Sequence, residues 1–199
     1  MDGHISLTYY ILLTINSIFV SNIIFAKFLG ICPYLGVSKK IDTAFGMGMA
    51  VTFVLTLSNA FTYIVQKTIL VPFHLEFLQT IAFILIIASL VQFVEIFMKK
   101  KLNVLYQSLG IYLPLITTNC AILGLAILAM QKEYNFITSI VFALANGLGF
   151  LLAIILFAGV REKLEYAQIS PALKGAPVSI ITAAIISMAF MGFSGLVKI

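Results

Sequence analysis

Charge is what this sequence has least of. Of 199 residues only seven are acidic and twelve basic, 10% in all, against 62% hydrophobic. A soluble domain carries about 25% charged residues, so the chain reads as a single polytopic membrane domain, 1–199. Acidic side chains are missing from the middle of every apolar run. Glu95, at the end of the third run, is expected to pair at the interface with Lys99, Lys100 or Lys101. That absence argues against a self-contained proton pump built on buried Asp or Glu. Histidine occurs twice, His4 and His74, near run ends, where a surface role is expected. Cysteine also occurs twice, Cys32 and Cys120, far apart and outside any CxxC. Two thiols are too few for an iron–sulfur cluster or a structural zinc, each of which takes four ligands as a rule. No basic stretch carries interleaved aromatics, which removes nucleic acid as a partner. The start, Met1-Asp2-Gly3-His4, has neither the positive charge nor the cleavage site of a signal peptide. The first run is therefore expected to be an uncut transmembrane helix.

What is present is a series of uncharged runs: 3–26, 43–66, 77–94, 102–131, 134–160 and 175–197. A helix needs about 20 mostly apolar residues to cross a bilayer, so an all-α membrane protein of six transmembrane helices is expected. Lys and Arg concentrate in cytoplasmic connections. The first, third and fifth connections hold Lys39, Lys40, Lys99, Lys100, Lys101, Arg161, Lys163 and Lys174. The second and fourth, with the C-terminus, hold Lys67, Lys132 and Lys198. Both termini are therefore expected outside.

The halves, about 1–100 and 101–199, echo each other. Ser21-Asn22 and Leu29-Gly30 match Thr118-Asn119 and Leu123-Gly124; Gly46-Met47-Gly48 matches Gly147-Leu148-Gly149; Thr80-Ile81-Ala82 matches Thr182-Ala183-Ala184. Three crossings per half would turn one copy upside down, a 3+3 inverted repeat, in which binding sites lie near the midplane where broken helices meet. The Gly-x-Gly pairs lack the strand and the Lys-Ser/Thr of a phosphate loop, and close helix packing explains them better. The first segment, which runs on from residue 26 through Gly36, and the fourth carry Pro33 and Pro114 amid glycines and are expected to be discontinuous, because proline removes a helical hydrogen bond. Such freed backbone groups must be buried in protein or line a cavity.

Each of these two segments carries one cysteine near its break. Two readings stand. A lone buried cysteine packs as a small hydrophobe; alternatively, both thiols are ligands. Two ligands make half a site, and the other half must then come from a second protein, a similar one across a pseudo-twofold axis. Lys27 either snorkels to the interface or helps offset thiolate charge. Asn16, Asn22, Asn59, Asn119 and Asn146 lie within runs, where helix-to-helix hydrogen bonding is the ordinary role. An ion path along Asn22, Thr117, Thr118 and Asn119 is a further reading.

The stretches Leu29-Gly30-Ile31-Cys32-Pro33, Gly36-Val37-Ser38-Lys39-Lys40 and Leu113–Cys120 resemble the A-type subunits of the Rnf ion-translocating oxidoreductase complex. Phe83-Ile84-Leu85, Val91-Gln92-Phe93 and Met188–Lys198 share that resemblance, which covers essentially the whole chain. The E-type Rnf subunit is similar too, as are the D-type and E-type subunits of the sodium-pumping NADH:quinone reductase. The resemblance implies a bacterial or archaeal cytoplasmic membrane and a pseudo-twofold pairing with the E-type Rnf subunit. It implies that Cys32 and Cys120 supply two of four thiolates to a shared 2Fe–2S centre. The B, C, D and G subunits of Rnf would be further partners, with flavins, the NADH site and soluble clusters on other subunits rather than on this chain. The activity implied is electron transfer between ferredoxin and NAD coupled to Na⁺ or H⁺ movement. Competing expectations are an inverted-repeat secondary transporter with inert cysteines, a purely structural membrane subunit, and the quinone-reductase branch.

Overall fold

The computed structural model of the chain describes residues 7–73, 76–101, 113–166 and 175–192, and every regular element among them is helical. Helix α1 (Leu7–Ile15) continues as a π-helical turn, Asn16–Val20, and the chain then unwinds. A short helix follows, α2 (Ile31–Val37), then α3 (Ile41–Val65) with its own π-helical extension, Gln66–Leu70. Next come α4 (Gln79–Lys101), α5 (Leu113–Thr117) and α6 (Cys120–Gln131). Two more, α7 (Phe136–Glu165) and α8 (Ala176–Met191), complete the order.

Among the described residues, four stretches are long and apolar enough to cross a membrane: Ile41–Leu70, Gln79–Ile96, Pro114–Gln131 and Phe136–Glu165. The first and sixth expected crossings are shorter as helices, Leu7–Val20 and Ala176–Met191. At about 1.5 Å per residue, the 16 residues of α8 reach roughly 24 Å, against a hydrocarbon core of about 30 Å. The first falls short because its run is interrupted at Ser21, well before the charged connection at Lys39. The beginning of the fourth run, His4, His74, the Ser170-Pro171 connection and the C-terminal 193–199 lie outside the described residues.

The centre of the fold is the antiparallel pair α3–α7. Three contacts share one register: Gly48 with Leu151, Thr52 with Gly147, and Asn59 with Ser139. A Cβ on Gly48 would lie 2.4 Å from Leu151 Cδ1, and one on Gly147 would lie 2.6 Å from Thr52 Cγ2 and 3.0 Å from its Cα. The two contacts are reciprocal, each glycine meeting a residue one turn beyond the other. Asn59 Nδ2 donates to Ser139 O at 2.8 Å and to its Oγ at 3.0 Å, gluing the same pair. Met47, Val51, Phe150, Ile154 and Phe157 fill the buried seam. Outward faces stay apolar, with Phe53, Leu85, Phe93 and Ile137 exposed, as suits a hydrocarbon surround. Arg161 of α7 reaches Leu35 and Ser38, so the first and fifth connections lie at one end of the bundle.

Both discontinuities occur, and neither falls at its proline. Pro33 sits in the first turn of α2, where its missing N–H leaves no helical bond unmade. Pro114 is at the start of the described part of α5. The chain unwinds between Ser21 and Gly30, and again at Thr118–Asn119.

The packing predicts a sharp positional contrast. Gly147→Val drives a branched side chain into the α3 backbone and is expected to destabilise by about 1–3 kcal/mol, read as a lowered Tm of the detergent-solubilised chain. Gly159→Ala, whose Cβ meets nothing within 4 Å, is expected to leave Tm unchanged or raised.

Candidate functional site

An unwound backbone at membrane depth must find its hydrogen bonds inside the protein. At the first break Asn22, 1% exposed, does most of this. Its Oδ1 accepts from Ile24 N at 3.0 Å, and its Nδ2 donates to Ile18 O and to Gly149 O of α7, both at 2.9 Å. Gly149 allows this approach: a Cβ there would lie 3.1 Å from Asn22 Nδ2. Ala26 N donates to Asn22 O, Phe28 N to Ile24 O and Leu29 N to Ile23 O, at 2.9–3.0 Å. Ser187 Oγ of α8 donates to Phe25 O at 3.1 Å. A mostly apolar cavity of about 350 Å³ lies between this stretch, α2 and α8, beside Phe25, Phe28, Tyr34 and Ser187.

The second break repeats part of that chemistry. Asn119 Oδ1 accepts from Ala121 N at 3.0 Å, an N-cap interaction satisfying one of the free amides that open α6. Cys120 is the first residue of that helix. Asn119 is buried, and its Nδ2 has no partner among the described residues. Thr118 is exposed, its hydroxyl donating to Pro114 O at 3.0 Å; Thr117 is half-buried. Of the ion-path candidates, Asn22 and Asn119 therefore each commit an oxygen lone pair to a backbone N–H.

The two breaks touch. Gly30 N donates to Cys120 Sγ at 3.0 Å, across 90 residues of sequence. Gly30 has φ +81°, and a Cβ on it would lie 3.0 Å from Phe150 Cε2 and 3.1 Å from Ala121 Cβ. Only glycine meets both demands, the left-handed backbone and the close approach. A Cβ on Gly124 in α6 would in turn meet Leu29 Cδ1 at 2.6 Å. Cys32 follows Gly30 by two residues, in the first turn of α2. The fold thus gathers both cysteines around one crossing point, and both are exposed. Lys27 is exposed as well.

The donor set has a definite chemistry. A backbone N–H aimed at sulfur is a hydrogen bond that a metal-bound sulfur ligand can accept. Two exposed thiols fit half of a four-thiolate centre. They do not fit a complete one: among the described residues no three His, Cys, Asp or Glu side chains come together to hold a metal. Three residues of this region carry structural roles that their sequence context does not announce. Gly30 is the backbone donor, Ser187 is one hydroxyl in an apolar run, and Arg161 counts only as a topological charge in the sequence. Arg161 is nonetheless the chain's single arginine, and arginine is suited to gripping several oxygens at once.

Comparison with known proteins identifies a family of membrane subunits. Residues 10–197 match the family described as "Rnf-Nqr subunit, membrane protein". The A-type subunit of the Na(+)-translocating ferredoxin:NAD(+) oxidoreductase complex of Acetobacterium woodii is 57% identical over 186 residues, 94% of this chain and 97% of that one. The A-type subunit of the ion-translocating oxidoreductase complex of Syntrophotalea carbinolica is 54% identical over 187 residues, 94% and 97% of the two chains. Its counterpart in Tolumonas auensis is 52% identical over 190 residues, 96% and 98%. The chain belongs to the Rnf-Nqr family of membrane subunits.

Proposed function

We propose that this chain is the A-type membrane subunit of an Rnf complex. That complex moves electrons between ferredoxin and NAD and couples their passage to Na⁺ or H⁺ translocation. Cys32 and Cys120 would hold one half of a 2Fe–2S centre, with the E-type subunit contributing the other two thiolates. The observation that carries the reading is the Gly30 N–H to Cys120 Sγ bond. It brings one cysteine-bearing break against the other and leaves both thiols open to a neighbour. The names of relatives 57% and 54% identical over nearly the full length support the complex and the activity. Inert packing of the cysteines, as a simple transporter would have, agrees less well with exposed thiols converging at membrane depth.

The same reading takes the fold as six crossings in a 3+3 inverted repeat, set in the cytoplasmic membrane with both termini outside. Two features support the repeat. Asn22 and Asn119 cap the residue two positions on with the same 3.0 Å geometry, and Gly48 and Gly147 make reciprocal contacts. The clustering of the first and fifth connections at one end supports placing both in the cytoplasm, where their lysines would lie.

Each residue has a defined task in this mechanism. Asn22 keeps the unwound stretch closed by answering its free amide and tying it to α7. Gly30 brings a fixed N–H to the sulfur without a side chain in the way. Asn119 starts α6 so that Cys120 stands in its first turn, at the partly positive end of the helix. When bound, the centre supplies a one-electron relay partway through a hydrocarbon core about 30 Å thick. The Gly30 N–H, at the end of the stretch from Ser21 to Gly30, would offset negative charge on the sulfur it faces.

Two experiments test this. In the assembled complex, Cys120→Ser is expected to abolish the intramembrane iron–sulfur signal and to lower ferredoxin:NAD electron transfer by at least about tenfold, a barrier increase of about 1.4 kcal/mol. Survival of both would end the ligand role. For topology, in a background with Cys32 and Cys120 replaced by alanine, Lys132→Cys should react with an impermeant maleimide in intact cells. Lys163→Cys should react only after permeabilisation, and the opposite pattern would invert the orientation.

A further inference from the structure

We propose that Arg161 is a positioning residue for the Cys32 half of the site and sets the electrostatic potential there; this rests on the reading of the cysteines as ligands. Helix α2 has seven residues, too few to stand without tertiary support. Its support comes from one face of α7. Phe157 stacks on Tyr34 with ring centroids 4.3 Å apart. One turn further along α7, Arg161 Nη1 donates to Leu35 O at 2.7 Å and to Ser38 Oγ at 3.1 Å. Leu35 O is among the last carbonyls of α2, which have no partner within the helix. Ser38 is wholly buried.

A charge kept only to orient the chain would sit in water. Arg161 instead spends its guanidinium on a helix-end carbonyl and a buried hydroxyl. Leu35 lies one turn from Cys32, roughly 4.5 Å along the helix axis. Both described partners of Arg161 are neutral oxygens, so neither cancels its charge. Two effects follow. The two hydrogen bonds from Nη1 fix the far end of α2, as the Gly30–Cys120 bond fixes its near end. The positive charge also favours negative charge gained at the Cys32 sulfur, which makes reduction there easier. Lysine would keep the charge and lose the planar geometry in which the two N–H groups of Nη1 are held.

The test compares Arg161→Gln with Arg161→Lys using two readouts. In the isolated chain, backbone amide exchange of residues 31–38 is expected to rise several-fold in Arg161→Gln and less in Arg161→Lys. In the assembled complex, redox titration of the intramembrane iron–sulfur signal is expected to show a more negative midpoint in Arg161→Gln, with Arg161→Lys restored most of the way to wild type. Should Arg161→Gln not assemble, Ser38→Ala removes one partner, and the same direction of change in exchange is expected. Unchanged exchange in the isolated chain overturns the clamp. Faster exchange with an unchanged midpoint reduces Arg161 to a structural tie and overturns the proposal. A wild-type complex with no intramembrane signal sinks the ligand reading and this inference together, whereas a wild-type signal indifferent to Arg161 sinks the inference alone.

Discussion

In hydrocarbon an unwound backbone is tolerable only if its polar groups are answered from within the protein, and the arrangement of this chain is organised around meeting that demand at two places. The first break is answered by Asn22, by its own turn hydrogen bonds and by Ser187 from α8. Its last residue, Gly30, is answered by something that is not an oxygen: the sulfur of Cys120. Sulfur is a weak acceptor as a thiol and a stronger one as an anion or metal ligand. A backbone donor committed to sulfur therefore links the folding requirement of one half to the chemistry of the other.

The long antiparallel pair α3–α7 makes this possible by being unyielding. Glycines at 48 and 147 bring the two backbones together, and Gly149 opens the adjacent face of α7 to Asn22. One helix thus serves as floor for both the central seam and the first break. The same helix carries Phe157 and Arg161, which hold α2. Because α7 touches the breaking stretch, the short helix and the central partner, displacement of any one is felt by the others through rigid packing.

Much of this was legible in the sequence, and the remainder was hidden for identifiable reasons. Uncharged runs mark the membrane helices because charge is costly in lipid, and small residues mark the close crossing because nothing larger fits. Breaks in the first and fourth runs could be anticipated from proline and glycine, but their positions could not. Pro33 begins a helix, and the interruption belongs to Asn22 and Asn119, whose amides can replace backbone partners. Composition does not distinguish such an asparagine from one that merely joins helices, as Asn59 does. The meeting of Gly30 with Cys120 is a tertiary fact with no local signal, and Arg161 was visible only as one more positive charge in a connection.

That Gly30 and Cys120 belong to different halves has a consequence for how such a chain can be built. Neither half is self-sufficient. Severed in the connection between them, the first would carry an amide with no acceptor, and the second a sulfur with no donor.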